Sequence, residues 1–440
     1  MPATRRLAEY VRSLDGRALS EESREAALRC VLDLMAAAAA GAREKGVAAT
    51  RAVARSEFGG GPAEIWFTSD RSSPTGAVLC NSAAASTLDL DDGYRAARGH
   101  PGAAAIPAAM AAAAECDADA AAFLAGIVAG YEIGVRVAIA RPGYAPSGAW
   151  SPFAAVAAAA AARGTSVDAL ANAFGIAAQH APALPGLAGL MGSDVKEGIP
   201  WGAVSGMAAL RLAEAGSTGP LHILDQPELF SSARMLEGLG GAPLIGGAYF
   251  KPYACCRHLH APLDAYAKLA EQHAIRPESV TAVEVHTYSG TFNLSNRAEP
   301  QDLVEAQYST PFCVAILALR GREALLPMDA GMLSDPQLRA FAGRVSMHRD
   351  PAIEPLFPAQ SPARIVVHAA GKRFESPVTM PRGDPADPLS WDELRDKYLT
   401  ATRFALSPAH QREVLEAVDR LRSGDLQPLR AAVSHGSEAR

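Results

Sequence analysis

Cysteine is scarce in this sequence, with six residues in 440, no Cys-x-x-Cys pair and one adjacent pair, Cys255 and Cys256. So few cysteines cannot form the disulfide framework that is typical of small secreted domains. Positive charge is not in excess either, because 41 Lys and Arg residues stand against 47 Asp and Glu residues, for a net charge of −6. Sequence-independent nucleic-acid binding needs many cationic contacts to phosphate, so the charge balance argues against that function class.

Long uninterrupted apolar runs are also missing. The best candidate, Ala120 to Ala140, contains Glu132 and Arg136, which argues against a membrane span. Residues 1–15 are rich in charge and contain no apolar stretch, so we expect no secretory signal and a reducing, cytoplasmic location. The phosphate-binding motif G-x-x-x-x-G-K-[ST] and the zinc-protease motif H-E-x-x-H do not occur, so nothing points to those chemistries.

What the sequence does contain is an abundance of helix-forming residues. It is 49% hydrophobic and 20% charged, which is ordinary for a globular protein with a large core. The first 240 or so residues are rich in alanine, which has the best helix propensity. Nearly apolar runs at residues 103–114 and 154–162 predict buried central helices. Thr165 with Asp168 resembles a capping box that starts another helix.

The pattern changes near residue 240. A smaller α+β unit is predicted because β-branched residues alternate with polar ones in short stretches, namely residues 280–288, 344–348 and, as a hairpin, 365–374. Between these stretches, Leu303 to Leu319 predicts one helix. Amphipathic helices are predicted at residues 391–402 and 408–423, followed by a polar tail over residues 430–440.

These patterns predict a mainly α protein with a smaller α+β domain. We place the helical domain at residues 1–245 and the α+β domain at residues 246–388. Residues 389–440 are predicted to form C-terminal helices beyond the α+β domain.

The first cluster of candidate functional residues runs from Asp89 to His100. Three carboxylates, two arginines and a histidine lie within twelve residues of a loop broken by Gly and Pro. Loops can bring catalytic groups to a cleft, and histidine transfers protons near neutral pH when a carboxylate orients it. A solvated acidic turn explains the same spacing equally well.

The second cluster, Lys251 to His260, holds four basic side chains, two thiols and a phenol in ten positions. Cys and His are zinc ligands, but the paired spacing of a structural zinc site is missing. Arginine binds carboxylates through two parallel hydrogen bonds, which favours a cationic pocket for a carboxylate substrate. A helix start with buried thiols is the structural alternative. Lys196, next to Gly198, is a third candidate, although taken alone it reads as a surface lysine.

Several of these segments resemble the MmgE/PrpD family in their order and spacing. They are LDLDDGYRAARGHPGAAAIPA, GYEIGVRV, KPYACCRHLHAPLDA, EAQYSTPFCVA and PADPLSWDELRDKY. The resemblance covers about residues 5–425. It implies a large helical domain built from both chain ends, an α+β lid, a homodimer and an active site between the domains. The family includes 2-methylcitrate dehydratase, cis-aconitate decarboxylase and iminodisuccinate epimerase.

The resemblance also implies a chemistry and a set of residues. Members move protons at a carbon α to a carboxylate without a metal or organic cofactor, so we expect a lyase or isomerase, of the dehydratase, epimerase or decarboxylase type, that acts on a small organic acid. The expected catalytic residues are Asp91, His100, Lys196, Lys251 and His260. The expected substrate-binding residues are Asp92, Arg98, Cys256, Arg257, His258, Tyr308 and Ser309. Either His100 or Lys196 would abstract the proton, and no metal is expected.

The sequence departs from the family pattern at three positions. Ala145, Ile199 and Ser205 stand where the family usually has a His, a His and an Arg. This loss of polar groups leaves two alternatives open. Besides the lyase or isomerase of a small organic acid, the alternatives are a relative recruited to secondary metabolism, with a larger and less charged substrate, and a catalytically weakened binding protein.

Overall fold

The computed structural model describes residues 1–182 and 193–436. The chain is mainly helical as far as residue 236, with three short strands; the first two, β1 (Ala63–Glu64) and β2 (Arg71–Ser72), pair after the third helix. The helices of this part are α1 (Ala3–Ser13), α2 (Glu21–Gly41), α3 (Lys45–Val53), α4 (Pro74–Ser86), α5 (Gly102–Cys116), α6 (Ala120–Ala140), α7 (Ser151–Arg163), α8 (Val167–His180), α9 (Ile199–Glu214) and α10 (Ser232–Leu236).

Helices α5, α6 and α7 lie at the centre of this helical part, which confirms the buried helices predicted from the alanine-rich runs. Helix α6 is long and apolar enough to cross a membrane by length and composition, yet 83% of its most apolar stretch is buried inside the fold. The two charges that interrupt it neutralise each other, because Arg136 Nε lies 2.7 Å from Glu132 Oε1 in the core.

A four-stranded sheet forms the second part of the structure. Its strands are β5 (Val280–Thr287), β6 (Val345–Arg349), β7 (Arg364–Ala369) and β8 (Lys372–Glu375), in the order β6-β5-β7-β8. The β5–β6 pair is parallel and the other two pairs are antiparallel. The predicted strands and hairpin are therefore confirmed. The accompanying helices are α11 (His260–Gln272), α12 (Leu303–Gln307), α13 (Thr310–Arg320) and α14 (Pro336–Ala342).

The chain ends with α15 (Trp391–Thr402), α16 (Pro408–Arg422) and α17 (Gln427–Val433). Apolar side chains of these helices, among them Leu394 and Leu421, belong to the same buried cluster as those of α1 to α9. A second buried cluster unites the sheet with α11, α13 and α14. Both chain ends thus contribute to one helical core. The domain boundaries at residues 245 and 388 stay a prediction.

The single helix predicted from Leu303 to Leu319 is wrong, because the structure has two helices there. Ser309 lies between α12 and α13, and its hydroxyl accepts a hydrogen bond from the Phe312 amide at 3.2 Å. Pro311 follows in the first turn of α13, where its missing N–H does no harm. The Ser-x-Pro sequence therefore restarts the helix, although the apolar pattern continues across the break.

Two other expectations at element ends are also wrong. Ser166, not Thr165, caps α8, because the Thr165 hydroxyl donates to Glu214 at 2.7 Å. The predicted polar tail from residue 430 begins with the last turn of α17, whose apolar residues reach the helical core. Residues 437–440 of that tail lie outside the described residues.

A two-residue ladder joins the helical part to the segment that carries the second cluster. Strand β3 (Gly93–Tyr94) pairs with β4 (Ala248–Tyr249), so that Gly93 lies opposite Tyr249. A Cβ atom at Gly93 would lie 2.3 Å from the Tyr249 hydroxyl oxygen, so a larger residue would displace the Tyr249 ring. This ladder brings the loop after α4 next to Lys251.

Candidate active site

A pocket of about 290 Å³ lies where these two segments meet. Its polar lining combines residues that are far apart in the chain. The helical part contributes Asp89, Arg95, Arg98, His100, Tyr144 and Glu197, and the rest of the chain contributes Tyr249, Lys251, Cys256, Arg257, His258, Asn293, Tyr308 and Ser361. The sequence clusters that seemed separate therefore form one site.

Asp89 is the centre of this site. Its buried Oδ1 atom lies 2.7 Å from Lys251 Nζ, 3.1 Å from Lys196 Nζ and 3.5 Å from His100 Nε2. Lys251 also donates to the Asp89 carbonyl oxygen at 2.9 Å. Three nitrogen side chains from three chain segments thus converge on one carboxylate at the floor of the pocket.

The ionised state of Asp89 is held by these neighbours. Burial raises the pKa of Asp89, but Lys196, Lys251 and His100 outweigh burial and lower the pKa well below its usual range. The pKa of Lys251 is raised. Burial by itself would lower this pKa, but the Asp89 carboxylate and the other acidic groups nearby together have the larger effect. The pair is therefore a carboxylate and an ammonium near neutral pH.

The backbone around the pocket adopts an uncommon conformation at several positions. Asp89, Arg98 and Glu197 have φ angles of 52°, 52° and 50°, in the left-handed region. Residues other than glycine seldom adopt these angles, and those that do cluster at functional sites, where the surrounding structure holds them. All three line the pocket.

His100 is surrounded by hydrogen-bond acceptors. Its Nδ1 atom donates to the Asp92 carbonyl oxygen at 2.9 Å and lies 3.3 Å from an Asp91 carboxylate oxygen. Burial and Lys251 lower the pKa of His100, but Asp91 and Glu197 together outweigh them and the pKa rises to about 9. Since Nε2 faces the Asp89 carboxylate, the resting state of His100 is the imidazolium, which donates protons.

A second buried charge group supports this loop from behind. Lys397 on α15 contacts Asp33 on α2 and donates to the Leu90 carbonyl oxygen at 2.9 Å. Asp92 accepts a hydrogen bond from Tyr131 at 2.8 Å. Burial, with Asp33 and Asp91 close by, raises the pKa of Asp92 to about 8, so Asp92 is mostly protonated at neutral pH.

Two arginines in the pocket share one carboxylate. Arg257 Nη2 lies 2.7 Å from Asp384 Oδ1, and Arg95 contacts the other oxygen of Asp384. Arg95 also donates to Ser361 at 2.7 Å. The Arg257 guanidinium lies over the Tyr249 ring, 4.6 Å from its centroid. Asp384 thus balances part of this positive charge before any ligand binds.

Arg98 differs from these arginines. Its side chain is exposed at the pocket, and the guanidinium lies over the Tyr144 ring, 5.3 Å from its centroid. Over residues 1–182 and 193–436, no carboxylate is within ion-pair distance of it. Arg98 therefore offers a free cation to an incoming anion, which fits its predicted substrate-binding role.

Family models identify the chain at this point. The MmgE/PrpD N-terminal domain matches residues 5–237, and the MmgE/PrpD C-terminal domain matches residues 253–423. The chain belongs to the MmgE/PrpD family. No curated protein matches the chain, so the comparisons show its family and no more specific relationship.

Most of the residues predicted for the site of this MmgE/PrpD protein lie together, but they lie at different depths. Lys196 is buried beside Asp89 and donates to Gln307 at 3.3 Å, so the surface interpretation of this lysine is wrong. Tyr308 lines the pocket, and its ring lies 5.4 Å from Lys196 Nζ. Cys256 also lines it, with a thiol pKa raised to about 12 by burial and by Asp89.

Other predicted residues lie behind the pocket. His260 is fully buried, with Nε2 at 3.1 Å from the Cys255 carbonyl oxygen. Burial and nearby Arg257 lower the pKa of His260 well below its usual range. Ser309 caps α13 and donates to the Arg297 carbonyl oxygen. These contacts give both residues structural partners.

The three departures from the family pattern do not shape the pocket wall among the described residues. Ile199 is buried at the start of α9, and Ala145 is half-buried beside the pocket residue Tyr144. The Ser205 hydroxyl donates to the His180 carbonyl oxygen at 2.9 Å.

Asp89, Asp91 and His100 also form a set of potential metal ligands, with atoms within 4.8 Å of one another. Carboxylate and imidazole are suitable ligands for several divalent ions. However, Lys251 and Lys196 contact the same Asp89 oxygen, and their two charges would repel a cation there. The residues present therefore fit ammonium groups better than a metal ion.

Proposed function

We propose that this MmgE/PrpD protein is a cofactor-independent lyase or isomerase that acts by acid–base chemistry at a carbon α to a carboxylate of a small organic acid. The observation that supports the proposal is the convergence of Lys251, Lys196 and His100 on Asp89 at the floor of the pocket. Asp89 and Asp91 face these three cationic groups, and Glu197 also lines the pocket. The positive charge that is left over is that of Arg98, which has no carboxylate within ion-pair distance among the described residues.

This surplus of positive charge would stabilise the negatively charged intermediate of such a reaction. Loss of an α-proton leaves an electron pair that spreads onto the substrate carboxylate as an enediolate. Fixed cations in a buried site stabilise such developing charge without reorganising, and one preorganised donor is typically worth about 10²–10³ in rate. Arg98 would hold a substrate carboxylate at the pocket surface.

The protonation state of His100 refines its proposed role. The pKa of about 9 makes His100 an acid at neutral pH, so we assign it proton donation to a carbon or a leaving group. Lys196 and Lys251 would stabilise the enediolate. The choice among dehydration, epimerisation and decarboxylation depends on the substrate.

Proton exchange in D₂O tests the proposal. The protein is incubated with citrate, 2-methylcitrate, cis-aconitate and succinate in turn, and NMR follows both exchange at the α-carbon and product formation. We expect exchange with at least one acid, reduced about 10²-fold or more in His100→Gln and Lys196→Met. The matched controls are His222→Gln and Lys372→Met, at exposed positions.

The alternatives predict different outcomes. A binding protein would bind an acid with no exchange above the uncatalysed rate, which would contradict the proposal. We also propose a homodimer in the cytoplasm, as the family resemblance implies. Sedimentation equilibrium of the purified protein tests the dimer, and a monomer at micromolar concentration would contradict it.

A further inference from the structure

A second imidazole, His258, lines the same pocket as His100 but has different surroundings. It lies in a short 3₁₀ turn (Arg257–Leu259) before α11. Its Nδ1 atom shares a hydrogen bond of 2.7 Å with the Tyr288 hydroxyl. The aromatic rings of Tyr288 and Phe357 also contact the imidazole, with centroids 5.5 Å and 5.8 Å away.

This arrangement fixes one ring nitrogen and leaves the other available. Tyr288 is itself held in place, because its ring stacks on Phe357 at 4.4 Å and 9°. With Nδ1 engaged, Nε2 is the nitrogen that can meet a ligand, and over the described parts of the chain it has no hydrogen-bond partner. A packed ring with one free nitrogen is the arrangement expected of a proton-transfer group.

The two imidazoles of the pocket have opposite protonation states. Burial, together with Arg95, lowers the pKa of His258 to about 4, and the more weakly coupled Asp89 raises it. The other groups that face it, Tyr288 and Phe357, carry no charge near neutral pH. His258 is therefore neutral where His100 is protonated. Pairs of titratable groups with separated pKa values are typical of acid–base sites.

We propose that His258 is the general base of this site and that Tyr288 is its positioning residue. The inference rests on the proposed function and adds to it the group that removes the proton. The pocket then holds a base and an acid in their active forms at the same time, and each comes from a different segment of the chain.

The proton-transfer step is balanced as follows. The step requires the tautomer in which Nδ1 of His258 carries the hydrogen and donates it to the Tyr288 hydroxyl oxygen, so that Nε2 has a free electron pair. The C–H bond α to the substrate carboxylate breaks, and its proton forms an N–H bond with Nε2 of His258. The electron pair stays on the substrate as the enediolate, next to Lys251 and Lys196. His100 then gives its Nε2 proton to a substrate carbon or to a departing hydroxide, and exchange with solvent restores both imidazoles.

Substitution of His258 tests the proposal, on the acid that the unchanged protein exchanges. We expect His258→Gln to lower kcat for exchange about 10²-fold with little change in KM, because glutamine keeps a hydrogen-bonding group but cannot accept the proton. The matched control is His273→Gln, since His273 is exposed beside the ring of Phe374. An unchanged kcat with a raised KM would assign His258 to binding and overturn the proposal.

Tyr288→Phe tests the positioning role. It removes the partner of Nδ1 and keeps the ring stack on Phe357. In the pH profile of kcat/KM we expect a fall on the acid side near pH 4, where His258 becomes protonated. The pH of this fall should shift in Tyr288→Phe, and the fall should disappear in His258→Gln. A fall that is unchanged in both variants would overturn the proposal.

NMR of ¹⁵N-labelled histidine gives a readout that does not depend on activity. We expect the His258 ring to be neutral at pH 6 and to titrate well below the ordinary histidine value of about 6.5. A His258 ring that is protonated at pH 6 would contradict the base role. Absence of exchange in the unchanged protein would instead overturn the proposed function, whereas exchange that survives in His258→Gln would overturn this inference alone.

Discussion

Replacement of Lys251 by methionine should destabilise the protein through the charge that it leaves behind. Lys251 and Asp89 are each 1% exposed, and Nζ and Oδ1 lie 2.7 Å apart. Removing one partner of such a buried pair typically costs about 3–5 kcal/mol, because the other charge stays buried with less compensation. Lys196 at 3.1 Å and His100 at 3.5 Å still face Asp89, so we expect a loss near the lower end, about 3 kcal/mol.

Urea unfolding at pH 7, followed by tryptophan fluorescence, measures this loss. All four tryptophans lie outside residues 246–388, so the signal reports on the helical part. Asp89→Asn and the double variant with Lys251→Met complete a cycle. The double variant should lose less stability than the two single variants together, because neither charge of this pair is then left buried without the other. A Lys251→Met protein as stable as the exposed control Lys372→Met, or strictly additive losses, would refute the reasoning.

The same pair predicts a direction for the pH dependence of stability. The folded pKa of Asp89 lies below its unfolded value of about 3.9, so the stabilisation is present above that value and is lost as the pH falls through the folded pKa. In Asp89→Asn this acid-side loss should shrink. Thermal unfolding between pH 2 and pH 6 checks it.

Three further predictions follow from buried groups near the site. Ser309→Ala should cost about 0.5–2 kcal/mol, because it removes the cap of α13; urea unfolding that is unchanged would show that the cap is dispensable. Asp92→Asn should raise the unfolding temperature at pH 7, because the unfolded carboxyl ionises above about 3.9 while the folded one keeps its proton up to about 8; the stability that Asp92 confers below about pH 3.9 is lost as the pH rises to the folded value, and asparagine avoids this loss. A large loss at pH 7 would mean that Asp92 is ionised there. Lys397→Met should lower the free energy of unfolding by about 3–5 kcal/mol, because it leaves the fully buried Asp33 without its partner. The double variant Lys397→Met with Asp33→Leu should lose less, and a double variant that loses as much as the single variant in urea would contradict the pairing.

Local signals allowed much of the fold to be predicted. Alternation of β-branched residues predicts strand β5, and Gly371-Lys372 between the stretch Ile365 to His368 and Phe374 predicts the hairpin of β7 and β8. Trp391 to Thr402 is a helix with the predicted bounds, and a capping box at Ser390 and Glu393 defines its start. Signals of this kind lie within a few residues of the element that they specify.

The site could be predicted only in part because its contacts are long-range. Asp89 and Lys251 are 162 positions apart, and nothing in the loop from Asp89 to His100 distinguishes Asp89 from Asp91 and Asp92. The positive φ of Asp89 could not be predicted from the sequence either, because glycine is the residue type that readily adopts this conformation. Asp384 is not among the predicted site residues, because it lies in a Pro/Gly-rich stretch that is typical of a connection between elements.

Glu197 and Tyr144 were missed for a related reason. Each adjoins a residue that the family resemblance singles out, Lys196 or Ala145, but its own side chain has a role only where the fold places it in the pocket. Glu197 accepts hydrogen bonds from the Ser147 amide and hydroxyl, 50 positions away. Pairings of this kind become visible only when the fold is known.

The central claim is that the cations around Asp89 stabilise an enediolate, and binding of a stable analogue tests it most directly. The nitronate of 3-nitropropionate carries the charge of an enediolate, whereas succinate is the matching ground-state dicarboxylate. By calorimetry we expect the nitronate to bind at least about 10²-fold more tightly than succinate, as transition-state analogues do, and Lys251→Met to erase most of that ratio. A nitronate that binds no more tightly than succinate would contradict the account.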